Sequence, residues 1–253
     1  MGSKIDCYID IASFYSFLAF HYLINSLDLL ARHNVEVEFH PIFLGAVHAS
    51  SGNTPPWAGS KAKREYLEKY ELVRAAKMLR IEDIVLPEDL RDLRNILTLQ
   101  PCRALMYIKD HYPRNVYHTS FHYLFHFFWT TPEKRVFDEP VLAQVLSNMP
   151  LEFRGSETRH GSQRMFSEDE VTVIVSNQAS LKYQDMLKAN SQSLSDLGAF
   201  GLPWLVVSNS EGHKEPFFGS DRFHHIYKFL GLPVRDFEFL LSLDFFQDAR
   251  LKL

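Results

Sequence analysis

Cysteine is nearly absent from this 253-residue chain: there are two, Cys7 and Cys102, far apart and in neither CxxC nor metal-ligand spacing. Such sparse thiols argue against a disulfide framework and suit a reducing compartment, and Cys7, inside an apolar run, reads as a small core residue. A basic patch is missing too. Lys and Arg number 27 against 31 Asp and Glu, for a net charge of −4 and a pI near 6.3, so no nucleic-acid partner is expected. No apolar run reaches membrane-spanning length, since His, Asp or Arg cuts each candidate, and no membrane insertion is expected. Only Met1 to Lys4 precede the first strand-like run, which leads to the expectation of no cleavable leader and an intracellular protein. The C-terminal tripeptide Leu251-Lys252-Leu253 is one residue from the Ser-Lys-Leu peroxisomal address, so cytoplasm, peroxisome and mitochondrion all stay open. Internal repeats and low-complexity segments are also lacking.

What is present is apolar mass. The chain is 46% hydrophobic with 21 Phe, enough for one large core or two modest lobes. Residues 5–20, IDCYIDIASFYSFLAF, organise it: residues 5–11 read as a strand, and from Phe14 the apolar residues fall at helical spacing through Phe17, Leu18, Leu23 and Leu29. The joint holds Asp10, Ala12 and Ser13. Ser13 is placed as an N-cap, at a helix end whose free N–H groups and dipole favour negative charge. An ordinary cap and an anion site are both consistent with that residue.

Farther on, residues 16–32 predict a helix and residues 35–43 a second strand, parallel to the first after the crossover. Residues 45–59 read as a loop. Helices are predicted over 61–79, 93–112, 115–130, 138–148 and 167–196, the last opened by the Ser167-Glu168-Asp169-Glu170 start signal. Residues 152–164 are polar and glycine-containing, a surface loop. Strands at 202–208 and 214–218, joined through Asn209 to Gly212, form a hairpin, and a helix over 220–230 follows. The order predicts an α/β fold: a thioredoxin-like domain (βαβ…ββα, residues 1–60 and 196–253) interrupted by an all-helical insertion (residues 61–195). His118, His122 and His126 share one helical face without a carboxylate or cysteine to complete a ligand set. They read as structural, and no metal is expected.

Four motifs in order, Ser13-Phe14-Tyr15-Ser16, SGNTPP at 51–56, GAFGLP at 198–203 and FGSDR at 218–222, resemble the kappa-class glutathione transferases and the related 2-hydroxychromene-2-carboxylate isomerases, over residues 5–230. Phe14 stands where that family usually has proline. The resemblance implies glutathione as cosubstrate, with Ser13 donating to its sulfur, Pro203 as a cis proline, and Leu202 offering its backbone to the cysteinyl part. It further implies Ser220 and Asp221 at the γ-glutamyl end, Asn53 helping to hold the peptide, Lys63 (or Lys61) near the glycyl carboxylate, and Tyr15 lining the pocket. The plain alternatives are a helix cap and first-turn acid for Ser220 and Asp221, a loop Asn, a solvated Lys and a core Tyr.

Hydroxyls at both positions where redox relatives carry CxxC leave no sulfur on the protein for dithiol exchange. A thiolate can instead be favoured by hydrogen bonding. Lowering a thiol from about pKa 8.5 to about 6.5 takes roughly 2.7 kcal/mol, against about 1.5–3 from a hydrogen bond to a charge and about 0.3–1 from a helix N-terminus. The leading reading is a transferase that joins glutathione to a small hydrophobic electrophile, as a homodimer. Its rivals are glutathione-dependent isomerisation and a non-catalytic glutathione- or peptide-binding module, the latter favoured if Phe14 crowds the thiol.

Overall fold

A computed structural model of the chain describes residues 2–79, 84–93, 96–131, 137–153, 155 and 163–234. Much of the 152–164 loop, the apolar tail at 237–246 and the C-terminal tripeptide lie outside the described residues.

Strand β1 (Ser3–Ile9) buries alternate residues, Ile5, Cys7 and Ile9 among them, as period-two patterning requires. It pairs in parallel with β2 (Val35–Pro41), register Ile5 to Val37 and Cys7 to Phe39. On its other side it pairs antiparallel with β3 (Trp204–Ser208), which forms a hairpin with β4 (Lys214–Phe218). The sheet order β2-β1-β3-β4 is the expected thioredoxin-like arrangement. Of the three pairings, the parallel β1–β2 pair was legible from residue patterning and the β3–β4 hairpin from its turn.

Helix α1 (Phe14–Arg32) crosses between β1 and β2. Its apolar face meets α6 (Arg114–Thr130) in an aromatic layer: Phe17 stacks on Phe125 at 5.0 Å, and Phe20 lies 4.7 Å from Phe39 and 5.5 Å from Phe121. One hydrophobic core therefore runs from the sheet into the helical segment. Phe14 belongs to it, buried with its ring edge-on to Trp129 at 4.8 Å.

Several boundaries depart from the sequence reading. The stretch expected as a loop contains helix α2 (Leu44–Ser51), ended by Gly52 at φ 66°. It forms because Leu44 and Val47 have an apolar cluster to enter, with Ile42 and Leu194, a tertiary reward that local composition does not reveal. The 61–79 helix divides into α3 (Lys61–Tyr66), a π turn at Leu67–Glu71 and α4 (Leu72–Leu79). Helix α5 (Leu99–His111) starts later than residue 93, with Pro101 in its first turn, where a missing N–H costs nothing. After α7 (Glu139–Asn148), the single helix expected over 167–196 is two, α8 (Glu168–Gln178) and α9 (Leu181–Asp196), separated where Ser180 takes an extended conformation. Each half buries its own apolar set, Val171, Ile174 and Val175 in one and Tyr183, Leu187 and Leu194 in the other. The last helix, α10, is Phe223–Phe229 and not 220–230, because Gly219 at φ 96° starts a turn through Ser220 and Asp221.

Histidines 118 and 122 pack as aromatic residues. His118 is edge-on to Phe39 at 5.3 Å, and His122 lies 5.8 Å from Phe20 and 4.8 Å from Phe153. Among the described residues no group of three or more His, Cys, Asp or Glu is arranged to hold a metal, and no helix is long and apolar enough to cross a membrane.

Burial holds His118 down to about 4, Arg114 adding to the effect, and His122 down to about 3, with smaller contributions from His21 and His126. The unfolded rings titrate near pH 6.5, so below that the unfolded chain binds more protons and stability falls with pH. Between pH 6.5 and 4.5 the loss for the two rings is expected on the order of 2–4 kcal/mol at about 1.36 per unit, and His122→Phe should remove about half of it in urea midpoints measured across that range. An unaltered acid slope in the variant would contradict the burial of His122. Phe14→Ala should cost about 3–5 kcal/mol in urea unfolding at pH 7, and a loss under about 1 kcal/mol would place the ring outside the core.

Candidate functional site

The β1–α1 joint is held tightly from below. Ser13, buried at 7% exposure with extended backbone (φ −94°, ψ 113°), caps α1 by accepting the Ser16 N–H at 3.1 Å. Its own N–H donates to the Asp10 carbonyl at 3.0 Å. The hydroxyl proton goes to the Leu202 carbonyl, 3.2 Å away. Ser16 is fully buried. Ser13 is therefore the one of the two hydroxyls that stands at the surface of the joint.

The opposing wall is the turn before β3. The Leu202–Pro203 peptide bond is cis, as the resemblance implied, and the Pro203 carbonyl accepts the Gly219 N–H at 3.0 Å. Asn53, beyond α2, donates from Nδ2 to the Phe200 carbonyl at 2.7 Å, so it ties the 51–56 loop to that same turn.

Beside this junction opens a cavity of about 770 Å³. Tyr15, Leu18 and Tyr22 of α1, Ala75 and Met78 of α4, and Phe223 and Tyr227 of α10 make its apolar wall. Leu202, Ser220 and Asp221 also line it, together with Glu71 and Arg74. The structure thus gathers Tyr15, Leu202, Ser220 and Asp221 around one hollow; Ser13, Asn53 and Pro203 do not line it, and Ser13 is joined to its wall by the bond to the Leu202 carbonyl. Lys63 is not among the lining residues: it sits exposed in the first turn of α3, its N–H held by the Ser60 hydroxyl at 3.3 Å. A second cavity, of about 800 Å³, lies by Ser3, Lys4 and Asn34 at the other end of β1, away from Ser13.

The charges in the site cavity come in pairs. Arg74 bonds Glu71 and the Tyr66 hydroxyl, each at 3.2 Å, and Arg222 bonds Asp221. Burial, then the Glu71 and Asp221 carboxylates, push the Tyr15 phenol up to about 12. It stays a neutral donor at neutral pH.

Sequence reading missed the residues that grip the loop from the helical side. Trp129 donates from Nε1 to the Ile11 carbonyl at 3.0 Å, while its ring takes Phe14. The Phe14 side chain consequently lies in the core. Asp10, 1% exposed, accepts bonds from the Ala12 and Leu44 N–H groups and the Thr98 hydroxyl. An acid ending an apolar strand just before a cap was the available signal. Trp129 and Thr98 gave none, nor did Glu71 and Arg74.

The chain and its fold have known counterparts. The chain is 27% identical over 230 residues to glutathione S-transferase kappa 1 of Caenorhabditis elegans, covering 91% of this chain and 92% of that protein. A 2-hydroxychromene-2-carboxylate isomerase structure superposes with a TM-score of 0.62 at 18% identity, over 99% of this chain and 100% of that one. A cytosolic disulfide reductase DsbM from Pseudomonas aeruginosa, solved with GSH, superposes at 0.51 with 11% identity, over 99% and 100% of the two chains. A family model for the DSBA-like thioredoxin domain matches residues 4–231. A β1–α1 joint facing a cis-proline turn, helices inserted between the two halves of the sheet and a match spanning nearly all of the described fold make this chain a member of the DSBA-like thioredoxin domain family.

Proposed function

We propose that the chain is a glutathione transferase of kappa type, which binds glutathione with its sulfur at Ser13 and joins that sulfur to a small hydrophobic electrophile. The observation that carries this reading is the Ser13 hydroxyl, capped from behind by the Ser16 N–H and donating across the junction to Leu202. Its similarity in sequence to the C. elegans transferase supports the same reading.

Glutathione would lie along the turn, its cysteinyl backbone pairing with Leu202 beside cis Pro203, in the manner of an added strand. Its γ-glutamyl end reaches Ser220 and Asp221, the carboxylate of Asp221 meeting the ammonium. Asn53, bonded to Phe200, supports the turn from the glycyl side, and Lys63 needs a side-chain movement to take part. The electrophile takes the apolar wall from Leu18 to Tyr227.

Because the Ser13 proton is already engaged, its worth to a thiolate is a difference. Exchanging a neutral acceptor, at about 0.5–1.5 kcal/mol, for a charged one, at about 1.5–3, gains roughly 1–1.5 kcal/mol. The N-terminus of α1 adds about 0.3–1. Together these lower the bound thiol by about one to two pKa units, at about 1.36 kcal/mol each. The Leu202 carbonyl left behind is refilled by the cysteinyl N–H. The thiol proton leaves to solvent, and the sulfur lone pair forms the new S–C bond as the electrophile's leaving group or π pair departs from that carbon. No general base is required.

A second reading, isomerisation, draws on the end-to-end superposition with the 2-hydroxychromene-2-carboxylate isomerase and uses the same thiolate, added and then expelled. Turnover with a panel of aromatic electrophiles decides between them. A transferase consumes one glutathione per product; an isomerase returns it. In either case Ser13→Ala should lower kcat/KM at pH 7 by about tenfold to a hundredfold, the equivalent of about 1.4–2.7 kcal/mol of transition-state binding. Undiminished turnover in that variant would remove Ser13 from the chemistry.

A further inference from the structure

We infer that Asp10 is the positioning residue of the Ser13 loop: its buried carboxylate draws together the loop, α2 and α5, and so fixes where the Ser13 hydroxyl stands. Its catalytic consequence rests on the glutathione reading above.

Among the described residues no Lys, Arg or His pairs with this carboxylate. A buried charge without a cation is expensive unless its oxygens are filled by donors. Here they are. Oδ1 accepts the Ala12 N–H at 3.0 Å and the Thr98 hydroxyl at 2.6 Å, and Oδ2 accepts the Leu44 N–H at 2.7 Å.

The donors come from three separate segments, and two of them sit at helix starts that have no side-chain cap of their own. Thr98 holds the N-cap position of α5, yet its side chain makes no cap bond in its own helix. At α2 the N-cap residue is Phe43, which has no capping side chain, so the free N–H at that helix start is satisfied by Asp10 from across the fold. Meanwhile the Asp10 carbonyl takes the Ser13 N–H. The residue therefore holds both ends of the short turn that presents the hydroxyl, and fastens it to two helices.

Asp10→Asn is a near-isosteric probe. Its amide oxygen can still serve Ala12 and Thr98, but its NH2 then faces the Leu44 N–H, donor against donor. Thr98→Val is milder, removing one donor and leaving the other two. Hydrogen exchange of peptides spanning 11–17 and 44–50, with circular dichroism as the check of folding, reads the two variants against the wild type. Positioning predicts that both variants stay folded and that the 11–17 peptide exchanges at least about fivefold faster, a local opening easier by about 1 kcal/mol. The kcat for conjugation should fall about tenfold while KM for glutathione stays within about twofold, since small displacement of a reacting group costs rate before binding.

A merely structural cap would loosen 44–50 and leave both 11–17 and kcat unchanged; that result overturns the proposal. If the wild type shows no glutathione chemistry at all, the functional reading falls alone, and exchange at 11–17 still decides the role of Asp10. If Asp10→Asn does not fold, Thr98→Val decides by the same peptides.

Discussion

The antiparallel pairing of β1 with β3 is the constraint on which the rest of the molecule depends. It sets Cys7 opposite Leu205 and Tyr8 opposite Trp204, so the chain leaving β1 and the chain entering β3 meet at one edge. Only that register lets the Ser13 hydroxyl reach a carbonyl 189 residues away. Closing so long a loop costs about 5 kcal/mol of chain entropy, and the long-range core offsets it. Phe17 and Phe20 of α1 bury against Phe121 and Phe125 of α6, each buried aromatic contributing about 2–3 kcal/mol.

Seen this way, the helices between the two halves of the sheet have a role beyond enclosing a hollow. Thr98 ahead of α5 and Trp129 near the end of α6 both donate to the loop that carries Ser13, one to the Asp10 carboxylate and the other to the Ile11 carbonyl. Phe14 adds a buried ring to the same grip. Aromatic packing at Phe14 and the tertiary hydrogen bond from Trp129 to Ile11 hold this loop. The stiffness comes from the neighbouring helices, and so it depends on their being in place.

The framework was legible in the residues because its signals are local. Alternation gave β1 and β2, an apolar run and a turn gave the β3–β4 hairpin, Ser13 gave the start of α1, and Ser167 with Glu170 gave the capping box of α8. What escaped was decided at a distance. Helix α2 exists because Leu44 and Val47 have an apolar cluster to enter, and no composition rule for Gly, Ser and Asn carries that information. The turn at Ser220 and Asp221 is set by the left-handed Gly219, which an N-cap pattern cannot distinguish from a helix start. Of the candidate site, Tyr15, Leu202, Ser220 and Asp221 line one cavity and Ser13 bonds Leu202, while Thr98 and Trp129 became visible only once their partners were known. Lys63 shows the limit from the other side: the resemblance left its role open between it and Lys61, and neither lysine lines the cavity.

A hydroxyl that already has a partner can stabilise a thiolate only by as much as the charged acceptor exceeds the neutral one, and this difference sets the expected size of the effect. The direct measurement is the ultraviolet thiolate absorbance of glutathione bound to the wild-type protein, followed against pH beside Ser13→Ala. The wild type should titrate one to two units below the ordinary thiol value of about 8.5, and the variant should move back towards it. Bound glutathione that titrates at the same pH in both proteins would contradict thiolate stabilisation by Ser13.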